Sequence, residues 1–193
     1  MNVPTRYTRI PNNIWIDENT ATLDGDAMML YLYLLTSPHS NMAGYYRLPK
    51  EYIKADLKAF VKGFDKWFNK AFKQLIDNKL LMYCEQKEIV LLPLYLHYNP
   101  INNPNQAIGI TTKVSELPAN SLVNDFINCC EKHIPKYASS IVSGLPNGLT
   151  NGLTNGLPNG LPNTVNSKQI TVNRKQQQQE PPKPPEGDVD VLI

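Results

Sequence analysis

RLPKEYIKADLKAFVKGFDKWFNKAFKQLIDNKLLMYCEQKEIVLLPLYLHYN, residues 47–99, reads as two helices followed by two strands. Phe64, Trp67, Phe68, Ala71, Phe72, Leu75 and Ile76 recur at helical spacing, while Lys62, Lys66, Lys70 and Lys73 fall at i, i+4, i+8 and i+11. At about 100° per residue the four lysines share one exposed face opposite the aromatic one. Pro49 suits the first turn of a preceding helix, 49–57, because its missing amide is unneeded there. Tyr52, Ile53 and Leu57 give that helix an inward face. The link 58–63 has only Gly63 as a break; without it the two helices would merge. The long helix should close near Asn78 and Lys79, with Asn in the left-handed position and Lys complementing the helix dipole. Two apolar strands follow, 80–85 and 88–92, joined at Gln86 and Lys87.

A short helix, a long basic helix and a hairpin in that order predict a winged helix-turn-helix. The N-terminal residues of the second helix enter the major groove in such a motif, so Lys62, Lys66, Asn69 and Lys70 are the candidates for reaching DNA. Lysines mainly serve phosphates, and Asn69 is the nearby side chain suited to bidentate adenine reading. Lys73, a turn further on, faces backbone or solvent; Arg47, Lys50 and the hairpin-tip Lys87 complete the DNA-binding set. The competing account of the lysines is a solvated face on an ordinary amphipathic helix. Their place between a proline-started helix and a lysine-tipped hairpin favours DNA.

Charge is distributed unevenly. The whole chain carries only +2, which identifies no polyanion partner. Residues 1–46 sum to −2, whereas 47–79 hold nine basic residues against four acidic ones, a net +5. Three cysteines, Cys84, Cys129 and Cys130, form no CxxC pair and fit a reducing compartment. No apolar run approaches the roughly 18 residues of a membrane span, and MNVPTRYTRIP lacks a signal-peptide core. The expectation is the cytoplasm, with no membrane contact.

Upstream, Asp24 is a plausible N-cap for a helix running to Thr36, in which Ala27, Leu30, Tyr31, Leu34 and Leu35 form a core stripe. In the lead-in, Tyr7, Ile10, Ile14, Trp15 and Ile16 are expected to pack on that helix, with Arg6 and Arg9 as an arm or as solvated charges. A loop around Pro38, Asn41 and Gly44 leads into a small strand, 44–48. Downstream, 99–106 is a turn-rich connection, followed by helical pieces at 107–117 and 121–134, the second with Leu122, Phe126, Cys130 and Ile134 on one stripe. Residues 144–163 are five four-residue repeats, GLPN or GLTN, too poor in apolar residues to build a core. A glutamine run, PPKPP and the acidic-apolar GDVDVLI close the chain; with 16 prolines, part of it should stay unpacked.

Enzyme chemistry finds no support: HExxH, GxSxG and GxxxxGK[ST] are absent, and His39, His97 and His133 are scattered. Cys129 and His133 at i, i+4 supply two metal ligands where a structural zinc needs four. No catalytic residue, metal or cofactor is expected.

YTRIPNNIW, LYLYLLTSPHSNMAGYYRLPKEYI, FNKAFKQLIDNKLLMYC, VLLPLYLHYNPINNPNQ and SELPANSL, spread over residues 5–137, resemble the N-terminal region of phage and prophage replisome organisers related to DnaD-type replication initiation proteins. The resemblance implies a winged-helix domain that binds origin or fork DNA and helps recruit the host helicase or helicase loader, without catalysis. Two features depart from it. The turn KAFVKGFDKW is longer than expected, and repeats follow Tyr137 where relatives often carry a helical DnaD-like domain. The expected fold class is α+β, mainly helical: a winged helix-turn-helix in 1–99, two short helices packed on it in 100–137, and a disordered low-complexity tail in 138–193. The expected function is non-enzymatic binding of double-stranded DNA in replication initiation, in a bacterial host cytoplasm. A winged-helix transcriptional regulator and a protein-interaction adaptor are the alternatives.

Overall fold

Asp24 opens the first long helix as a true cap: the Ala27 amide donates to its Oδ1 at 2.9 Å, satisfying one of the four amides a helix start leaves unpaired. The computed structural model describes residues 7–150. Arg6, the repeats after Thr150, the glutamine and proline runs and GDVDVLI lie outside the described residues. Among those described, the order is α1 (Gly25–Thr36), β1 (Tyr45–Arg47), α2 (Lys50–Leu57), α3 (Phe64–Asp77), β2 (Met82–Cys84), β3 (Ile89–Leu91), α4 (Tyr95–Tyr98), α5 (Pro104–Ser115), α6 (Val123–His133), α7 (Pro135–Ser143) and α8 (Asn147–Thr150). The fold is mixed helix and sheet, mostly helical.

The three strands form one antiparallel sheet in the order β1-β3-β2, with Tyr46 opposite Val90 and Tyr83 opposite the same valine on the other side. Tyr45, Tyr46 and all of β3 are buried, so the sheet is covered rather than half-wet. α1 lies against α3, and Tyr46 ties α1 to the sheet by donating its hydroxyl to the Leu34 carbonyl at 2.6 Å. Gly44, at φ 64°, occupies the left-handed region; a Cβ there would stand 2.3 Å from the Tyr95 Cβ, so only glycine lets β1 pass α4.

Gly63 keeps α2 and α3 from joining. Its φ of 63° and ψ of 48° turn the chain out of the helical region, and α2 has already stopped at Leu57. Two separate helices result. α3 then buries Trp67, Phe68, Ala71, Phe72 and Leu75 and exposes its lysines, as the periodicity requires.

Its closing differs from expectation. Asn78 is not left-handed (φ −85°), because its side-chain Nδ2 donates to the Gln74 carbonyl at 2.8 Å and its Oδ1 accepts from the Thr22 hydroxyl at 3.0 Å. Lys79 takes the left-handed position instead, φ 58°, and the Leu80 amide returns to the Leu75 carbonyl at 2.9 Å.

The hairpin is shorter than expected: Cys84 faces Ile89, leaving a four-residue loop, 85–88, with Glu88 at φ 57°. The lead-in also differs. Only Ile14 is buried, while Tyr7, Trp15 and Ile16 are 87%, 63% and 81% exposed. A single 3-10 turn, Asn12–Trp15, has one narrow face to bury and spends it on Ile14.

The C-terminal helices are part of the same core. Phe126 of α6 stacks on Tyr45 of β1, ring centroids 4.9 Å apart, and the Tyr45 hydroxyl meets Asn120 at 2.8 Å. One contiguous cluster runs from Ile14 to Leu145 and includes Leu122, Phe126, Cys130 and Ile134. α5 begins at Pro104, inside the stretch expected to be a turn, because Asn103 caps it through the Gln106 amide at 3.0 Å. The boundary expected at residue 137 falls inside α7, which buries Tyr137, Ala138 and Ile141. Order continues into the first repeats: Leu145 joins the main core, and Leu149 packs with Val123 and Ile127 of α6. These two leucines are buried against apolar surface that the preceding helices supply.

Candidate nucleic-acid interface

The exposed side of α3 and the turn before it gather most of the expected DNA-binding residues. Lys62, Lys66, Asn69, Lys70 and Lys73 are all exposed. Gly63 caps α3 without a side chain, so the first-turn amides have no side-chain acceptor, an arrangement that suits an anion. Lys62, Lys66 and Lys70 rim a cleft of about 550 Å³ whose other walls are Phe60, Val61, Trp67, Asp26 and Met29.

The cations differ in how they are engaged. Lys70 lies 2.6 Å from Asp24 and 4.0 Å from Asp26, at the start of α1. The ammonium, with the Ala27 amide, holds the Asp24 carboxyl below its ordinary range, and Asp24 in turn raises the lysine's pKa. Lys73 pairs with Asp77 at 2.6 Å along the same helix. By contrast, Lys62 and Lys66 have no ion partner within 4.0 Å among the described residues, and the Asn69 side chain makes no hydrogen bond there.

Arg47 and Lys50 sit with the hairpin rather than with the α3 face. Arg47 is bonded to Glu88, and Lys50 reaches Glu85 at 2.6 Å while its ammonium lies 5.0 Å from the Phe72 ring centre and 5.2 Å from that of Tyr83. Both acids of the loop are thus paired with cations of β1 and α2. Lys87 remains at the tip, exposed and without an ion partner among the described residues.

Sequence reading missed Lys58 and Phe60, both exposed in the α2–α3 turn. The reason is periodicity. In an unbroken helix Phe60, Phe64, Trp67 and Phe68 would fall at i, i+4, i+7 and i+8 and share the buried stripe, so only the break after Leu57 puts Phe60 outside. The acidic partners of Lys70, Arg47 and Lys50 were equally invisible, being 46, 41 and 35 residues away in the chain.

No family model matches this chain, and neither does any curated protein or solved structure.

Cys129 and His133 line a groove of about 780 Å³ between α6 and the end of α3. Burial pushes the Cys129 thiol up to about 11 and, with Lys132 and His97 nearby, lowers the His133 pKa. Among the described residues no three His, Cys, Asp or Glu side chains group as metal ligands, and no helix is long and apolar enough to cross a membrane.

Proposed function

We propose that residues 24–92 form a winged helix-turn-helix that binds double-stranded DNA through α3, and that the protein acts without catalysis in replication initiation. The observation that carries the DNA reading is the exposure of Lys62, Lys66, Asn69, Lys70 and Lys73 along one side of α3 and the turn before it. The element order α1-β1-α2-α3-β2-β3 and the sheet order β1-β3-β2 support the winged-helix assignment, with the 85–88 loop as the wing tip.

In this reading α3 enters the major groove with its N-terminal end first. Lys62 and Lys66 neutralise phosphates, Asn69 meets base edges, and Lys87 touches the backbone beside the site. Arg47 and Lys50 hold the wing against β1 and α2 and contribute field rather than direct contacts. Affinity is therefore mostly electrostatic and only modestly sequence-specific.

The replication role rests on the sequence resemblance, with the host helicase or its loader as the partner. Retention on immobilised duplex DNA that falls steeply with salt tests the DNA reading; salt-insensitive retention or none refutes it. Co-capture of helicase or loader from the host separates replication from transcriptional regulation, for which that partner is not required.

A further inference from the structure

Phe60 is 75% exposed on a turn whose backbone is pinned: its amide donates to the Leu57 carbonyl at 2.9 Å and that of Val61 to the same oxygen at 3.2 Å. The backbone that carries the ring therefore stands in a defined place. Lys58 precedes it and Lys62 and Lys66 follow, all exposed and without ion partners among the described residues. Phe60 lines the 550 Å³ cleft together with Trp67, Val61 and Met29. The carboxylate facing that cleft is Asp26, 4.0 Å from Lys70, which is itself neutralised by Asp24.

A ligand for this place must satisfy two demands at once. The lysines call for a chain of anions, and the ring calls for a flat apolar face. An unpaired nucleotide offers both, since every base has a π-face and every link carries a phosphate. A base inside a duplex is already stacked on its neighbours and must be unstacked before it reaches a side chain.

We propose that the α2–α3 turn is a stacking platform for an unpaired nucleotide, so that the protein favours DNA in which a single strand leaves a duplex. This deepens the duplex-binding reading of α3 and rests on it for the duplex arm. Phe60 stacks on the base and Lys58 and Lys62 hold the flanking phosphates where a single strand is present; with Lys66 they also serve the duplex.

The test uses the full chain and fluorescence anisotropy on four probes. These are a blunt duplex, the same duplex with a short oligo-dT extension, the duplex with an abasic extension of equal length, and oligo-dT alone. The oligo-dT extension is expected to tighten binding by about 5- to 150-fold, the range of one stacked base. The abasic extension, with its phosphates but no bases, should gain less. Phe60→Ala should abolish the difference between the two extensions, Phe60→Trp should keep it, and both should bind the blunt duplex like the parent.

Equal gains from the two extensions, or a gain untouched by Phe60→Ala, overturn the platform. If the blunt duplex is not bound but oligo-dT is, and Phe60→Ala weakens it, the duplex reading fails while the platform stands. Phe60-dependent binding to vesicles of anionic lipid without binding to oligo-dT overturns it in favour of a membrane surface.

Discussion

Replacing Lys62 and Lys66 together by alanine should flatten the salt dependence of duplex binding by a calculable amount. Four cations around the proposed interface, Lys58, Lys62, Lys66 and Lys87, have no ion partner among the described residues and so neutralise phosphates without breaking an internal pair. If each neutralises one phosphate, log K falls against log salt with a slope of about −3.6, and raising salt from about 50 to 200 mM weakens binding about 150-fold. Removing two of the four leaves a slope of about −1.8 and a loss of about 12-fold over the same range. Anisotropy titrations at three salt concentrations measure both lines. Both lysines are exposed, so thermal unfolding should shift little. Lys132→Ala with Lys136→Ala removes the same charge from exposed positions around the end of α6 and should leave the slope unchanged. Parallel lines for parent and Lys62/Lys66 variant would refute the assignment of these lysines to phosphate.

Three further outcomes follow from the same geometry. Asp24→Asn keeps a capping oxygen for the Ala27 amide, so stability should hold within about 0.5 kcal/mol. It also releases Lys70, so duplex affinity should rise; Asp24→Ala should instead cost about 1 kcal/mol in urea unfolding. Because Lys70 and the Ala27 amide lower the Asp24 pKa below 3.8, its share of stability is complete above that value and lost as pH falls through the folded-state value. That acid loss should be smaller in Asp24→Asn. Gly63→Ala meets no atom within 4 Å and pays only the left-handed backbone strain, about 1–2 kcal/mol, whereas Gly44→Ala strikes Tyr95 and should lose far more by the same urea assay. Ile141→Ala, fully buried in α7, should destabilise the whole unit by about 2–5 kcal/mol in one cooperative transition; an early separate transition would mean that α7 unfolds independently.

Much of this architecture was legible from residues alone where local chemistry acts. The Asp24 cap, the aromatic stripe of α3, the break at Gly63 and the Leu122, Phe126, Cys130 and Ile134 stripe depend on spacing within one or two turns. α7 and α8 were not legible. Tyr137, Ala138 and Ile141 make a weak stripe among serines, and Leu145 and Leu149 sit in repeats that read as unstructured. Their burial is supplied by α6 and the core, surfaces that no window of the sequence displays.

The lysine face divides in the same way. Helical periodicity by itself determined that Lys66, Lys70 and Lys73 would point to solvent, because an amphipathic helix has one wet side; Lys62, expected on the same helix face, lies instead in the turn before Gly63, outside α3. Tertiary structure decided which of them stay available. Asp24 arrives from the start of α1 to hold Lys70, Glu85 and Glu88 fold back from the hairpin onto Lys50 and Arg47, and the broken turn puts Phe60 beside Lys62. Charge pairs form through space between groups distant in the chain, so a linear sequence counts the charges while packing sets their partners.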